Sequence, residues 1–172
     1  MPIPRYRLTA MSLSLTFVFG LAETGHPQVI SDAAEMERLQ GKAEDAIGSD
    51  DPEGAAMNMG RAALMAKRLG QLNHDNEQVV HLYRGAESLF RSQEHGYRAM
   101  ALFRRAGGQL PASSGVCGSL ALAQGSIQQA VAELAPDTPP PAPLAERTKR
   151  WRATAEDWQT VLDSMIVDYQ CP

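Results

Sequence analysis

Apolar residues along this chain recur at steps of three and four, and no segment sustains a two-residue alternation. The first spacing places side chains on one face of a helix. The second is what a half-buried strand requires. An all-α fold is therefore expected. Aromatic residues make up only 6% of the chain, while Ala, Leu, Met and Gln are plentiful. Strands prefer β-branched and aromatic side chains, so composition agrees.

Helix signals punctuate residues 31–134, which form the expected helical body. Ser31 is read as an N-cap, and Ala33, Met36, Leu39, Ala43 and Ile47 form the first stripe. Asp51-Pro52 opens a second helix, since proline suits the first helical position. It carries Ala55, Met59, Ala62, Ala66 and Leu69, and Gly70 closes it. Asn73-His74-Asp75 caps a third helix bearing Val79, Leu82, Tyr83, Ala86 and Phe90. His95-Gly96 is read as a turn into a fourth helix, stopped by Gly107-Gly108. Two short helices are expected on either side of Gln124-Gly125-Ser126.

Residues 135–143 contain five prolines and read as an extended linker. Residues 144–172 form the last unit. Its stripe is Leu144, Thr148, Trp151, Ala155, Trp158, Leu162, Met165 and Tyr169, a period of 3.5 residues. Such a helix either caps its own domain or forms an oligomer seam over residues 144–169.

Residues 1–22 have a different character. Arg5 and Arg7 precede an uncharged, largely apolar run from Leu8 to Leu21, and the small residues Gly20 and Ala22 stand two apart at its end. This is the three-part pattern of a secretory signal peptide. Removal would leave 14 basic and 20 acidic residues, a net charge of −6 in place of −4. A periplasmic or secreted location is expected. Cys117 and Cys171 lie 54 residues apart. In an oxidising compartment such a pair favours a disulfide; the other reading is one buried and one free thiol.

The helices pair off as hairpins, and three loosely similar units emerge. The first holds Asp51-Pro52-Glu53-Gly54-Ala55 and Ala62. The second holds Ala99, Phe103, Ala106 and Pro111. The third holds Gly118, Gly125, Ile127 and Ala130. This pattern resembles the tetratricopeptide family of helix-turn-helix repeats. The resemblance implies about three stacked hairpins with a C-terminal cap, and a concave groove lined by the first helix of each pair. The groove positions it implies are Glu37, Gln40 and Glu44 in the first unit and His81, Arg84, Ser88, Arg91 and Ser92 in the second. Ser119 and Leu122 would follow in the third. An irregular bundle of the same helices is the alternative arrangement.

Catalytic patterns are missing. The chain has no HExxH, GxSxG or phosphate-binding glycine loop, and its four histidines are scattered. No cofactor or metal is expected. The acidic balance disfavours nucleic acid. Charge is uneven, however. Residues 31–53 carry eight acids and two bases, and residues 54–111 carry eight bases and four acids. Such a surface suits a protein or an extended peptide of mixed charge. Arg147, Lys149, Arg150 and Arg152 form a second basic cluster, suited to a solvated face, a partner or an anionic membrane surface. The expected role is a non-catalytic, exported binding scaffold of the bacterial envelope. A cytosolic secretion chaperone and an oligomeric structural subunit are the alternatives.

Overall fold

A computed structural model describes residues 27–135 and 140–172. Five helices build it: α1 (Pro27–Gly48), α2 (Pro52–Leu72), α3 (Glu77–Arg105), α4 (Ser114–Glu133) and α5 (Ala142–Asp168). Among the described residues there is no strand. The signal-peptide segment 1–22 and His26 lie outside the described residues, as do positions 136–139 of the proline-rich linker.

Local chemistry accounts for both ends of α2 and of α3. Asp51 caps α2 by accepting from the Gly54 amide at 2.9 Å, with Pro52 at the first helical position. Asn76 caps α3 by accepting from the Val79 amide at 3.2 Å. That cap lies one residue beyond the predicted Asn73-His74-Asp75. Asn73 instead closes α2, donating its side-chain amide to the Leu69 carbonyl at 2.7 Å. Gly107 and Gly108 end α3 with φ of 70° and 69°, a region where a side chain is strained. Ser31 sits inside α1, which begins at Pro27, so it is not the cap.

Two expected turns do not form. His95-Gly96 lies within α3, which runs unbroken for 29 residues, about 43 Å at 1.5 Å per residue. Gln124-Gly125-Ser126 lies within α4, unbroken for 20 residues. The six helices expected over residues 31–134 are therefore four. In the second unit Ala99 and Phe103 lie in α3, with Ala106 at its C-cap and Pro111 in the connection beyond, and all four anchors of the third unit lie in α4, so neither set spans a hairpin. The linker also ends early, because Ala142 and Pro143 already belong to α5.

Packing explains the unbroken α3. A Cβ on Gly96 would lie 2.5 Å from Trp158 Cζ2, and one on Gly85 would lie 2.5 Å from Leu134 Cγ. Both glycines are sites of close approach. Gly125 meets nothing within 4 Å and simply rides the exposed side of α4.

Helices α1 to α4 pack each on the next, and α5 lies against α3 and α4. Trp151 meets Tyr83 and Phe90 at centroid distances of 6.2 and 6.0 Å. Trp158 meets Tyr97 at 5.1 Å, and Tyr169 stacks on Phe103 at 4.2 Å. Residue numbers rise together on both helices, so α5 runs parallel to α3. Its 3.5-residue stripe is spent inside the chain: Thr148, Trp151, Ala155, Trp158, Leu162 and Met165 are all buried. Burying two tryptophans makes this cap part of the core rather than an appendage.

The Cys117–Cys171 disulfide forms, with the two Cα atoms 5.4 Å apart. It joins the start of α4 to the tail after α5. Beside it, the Ala112 amide donates to the Tyr169 carbonyl at 2.9 Å.

Candidate functional site

One side of α3 is covered by α5. The opposite side lies between α2 and α4 and stays open. This follows from the residue pattern on α3. Tyr83, Phe90, Gly96 and Tyr97 turn toward α5. Arg84, Glu87, Arg91 and Arg98 occupy the other arc, where no further helix packs among the described residues.

Three clefts adjoin along this open side. The largest, about 580 Å³, lies between α2 and α3, with Ala56, Gly60 and Ala101 among its small residues. A second, about 430 Å³, lies between the other ends of the same two helices. A third, about 270 Å³, lies between α3 and α4 beside Ser126 and Gln129. Arg91 belongs to the first and third, and Arg84 and Glu87 to the second and third. Together they form a trough along α3. From Arg84 to Arg105 it runs about 31 Å at the helical rise.

The α3 residues singled out from sequence sort along this trough. Arg84, Ser88 and Arg91 line it, with Ser88 buried at its floor. His81 lines none of the three clefts; its Nδ1 is 2.5 Å from Glu133 Oε2 and its Nε2 3.7 Å from Glu77 Oε1. Ser92 is not a surface residue. It is fully buried, donates to the Ala123 carbonyl at 2.8 Å and accepts from Trp158 Nε1 at 3.0 Å.

Glu37, Gln40 and Glu44 are not brought to the trough. They sit on α1 toward α5. Glu37 lies 3.5 Å from Arg147 and 4.0 Å from Arg150. Gln40 donates to Glu44 at 3.1 Å. Burial raises the Tyr97 hydroxyl above its ordinary pKa, and the Glu44 charge adds to this. The basic cluster at the start of α5 is largely engaged as well, since Arg147 and Arg150 meet Glu37 and Arg152 meets Glu156 at 2.9 Å.

Sequence reasoning passed over Met57, Arg61 and Leu64 on α2 and Arg98 and Arg105 on α3. Met57 is 61% exposed and Leu64 55%, both against the largest cleft. The signal was present in the spacing. Positions 57, 61 and 64 share one face of α2, opposite the buried Ala55, Met59, Ala62, Ala66 and Leu69. Met57 and Leu64 thus put a small apolar patch on a second face of α2, beside the cleft.

Electrostatics give the largest cleft its character. Glu94 is 8% exposed and meets both Arg91, at 2.8 Å, and Arg98, at 2.7 Å. Arg105 pairs with Glu53 across the α2–α3 gap. Next to Glu94, burial holds the His95 imidazole below its ordinary value near 6.5. Glu94 opposes that shift, while Arg98 and Arg91 add to it. The His95 Nδ1 is buried without a hydrogen-bond partner.

Among the described residues no group of three His, Cys, Asp or Glu side chains is arranged to hold a metal. No described helix is long and apolar enough to cross a membrane. No protein-family model, curated protein or solved structure matches the chain.

Proposed function

We propose that this chain is a non-catalytic binding protein that docks a segment of a partner protein along the α3 trough. The observation that carries this reading is the continuity of the three clefts through Arg84, Glu87 and Arg91. A long, shallow, mixed-charge surface beside exposed Met57 and Leu64 suits an extended or helical segment. The helical stack serves as a rigid frame, while α5 fills the opposite side.

Work in an exported, oxidising compartment of the bacterial envelope is part of the proposal. The Cys117–Cys171 bond fits such a compartment, and the signal-like segment 1–22 would direct the chain there. The same bond weighs against the cytosolic chaperone alternative.

Site-specific photo-crosslinking in the producing cell tests the binding role. A crosslinker at Leu64 or Arg91 is expected to trap a discrete protein adduct, and one at Val161, on the outside of α5, is not. Equal labelling from both positions, or none from the trough, rejects the reading. Intact mass measurement of the purified protein tests export, with loss of residues 1–22 expected.

A further inference from the structure

We infer that the α2–α3 cleft selects an acidic peptide segment that carries large apolar anchor residues; this rests on the trough being a protein-docking surface. The cleft is cationic in an acidic chain. Arg61, Arg91, Arg98 and Arg105 line it against only Glu53 and Glu94, a local net charge of +2. The whole chain carries −4. Arg91 and Arg98 share the single buried carboxylate of Glu94, so one of these two charges is left over. Arg61 stands outside these pairs and is exposed on the rim; its charge also reaches Glu35 on α1, whose carboxylate Arg38 already binds.

The walls supply the apolar half of the recognition. Met57 and Leu64 project beside the cleft, and Leu102 borders it from α3. Between them Ala56, Gly60 and Ala101 keep the floor low. Gly60 in particular leaves room for the buried Glu94 carboxylate, whose carbon would lie 3.0 Å from a Cβ there. An apolar anchor can therefore settle between Met57 and Leu64 while flanking carboxylates reach Arg61 and Arg98. A basic segment would face repulsion at the same rim. A nucleic acid would gain the charge but leave the apolar walls unused, and two net charges release few counterions.

Fluorescence anisotropy on the full-length, oxidised protein tests this. The probes are a short glutamate-rich peptide with spaced leucines, its lysine-for-glutamate counterpart, the same glutamate peptide with serine for leucine, and oligo-dT. Only the glutamate–leucine peptide is expected to bind, and more weakly as salt rises. Arg61→Glu should weaken it about fivefold or more, as one exposed attraction becomes a repulsion. Leu64→Ser should weaken it as well, while Arg152→Glu, on α5, should not. Both cleft positions are exposed, so the variants are expected to keep the parent circular dichroism. Equal binding of the lysine peptide, tighter binding of oligo-dT, or no effect of Arg61→Glu and Leu64→Ser overturns the inference. If Leu64 crosslinks a partner in cells while the glutamate–leucine peptide fails to bind, only the selectivity inferred here falls. If neither occurs, the docking role falls with it.

Discussion

The indole N–H of Trp158 donates to the hydroxyl of Ser92 at 3.0 Å, and that hydroxyl donates onward to the Ala123 carbonyl at 2.8 Å. One buried relay thus ties α5, α3 and α4 together. Ser92→Ala leaves a buried indole donor and a helix carbonyl without this partner, and is expected to cost about 1–3 kcal/mol. Trp158→Phe removes the donor and part of the ring. The double variant should cost less than the sum, because the two changes break one interaction. Urea unfolding of the four proteins checks this; strict additivity would show that the bond contributes nothing.

Two glycines expected to break helices should respond oppositely to alanine. Gly96→Ala drives a methyl against Trp158 and Leu162 and should destabilise by about 1–3 kcal/mol. Gly125→Ala adds a methyl in open space within an exposed helical stretch and should stabilise by about 0.5–1 kcal/mol. Thermal melts decide both signs, and a stabilising Gly96→Ala would contradict the close contact with Trp158.

Loss of the Cys117–Cys171 bond frees a loop of 54 residues between α4 and the chain's tail. The Cys117→Ser/Cys171→Ser variant should lose about 2–4 kcal/mol, chiefly through the less constrained unfolded chain. Reductant should lower the unfolding midpoint of the parent and leave the variant unmoved. Equal midpoints for the parent with and without reductant would contradict a disulfide that contributes to stability.

Stability should fall as the solution is acidified through the histidine range. Burial favours the neutral His95 in the folded state, so its folded pKa lies below the ordinary value near 6.5. Above that value both states are neutral and nothing is lost. Below it the unfolded chain takes up a proton that the folded chain resists, and stability drops until the folded pKa is passed. His95→Gln should flatten this part of the profile, measured by urea midpoints across pH. An unchanged slope would place the pH dependence on other groups.

Much of the architecture was legible before any tertiary contact was known. The three-and-four spacing marks helices because a helix returns to the same face every 3.6 residues. Asp51-Pro52 and Gly107-Gly108 read correctly because a cap and a left-handed terminus are local chemistry. The Trp151–Trp158 stripe announced a helix with one buried face, and the two cysteines announced the bond. Other features lay beyond local reading. A glycine inside a helix costs only about 1 kcal/mol relative to alanine. Local sequence therefore does not distinguish a break at Gly96 from the seat of a tryptophan 62 residues away. That seat exists only once α5 lies parallel to α3. The same packing decided the candidate site. Arg84, Ser88 and Arg91 share one stripe of α3 on helical geometry alone. Whether that stripe opens to solvent or is covered depends on which side α5 takes, and burial of Trp151 and Trp158 directs α5 to the opposite side. The sequence by itself determined the helices and their two-faced character. Only the tertiary structure decided which face each helix buries, because that choice rests on contacts between residues far apart in the chain.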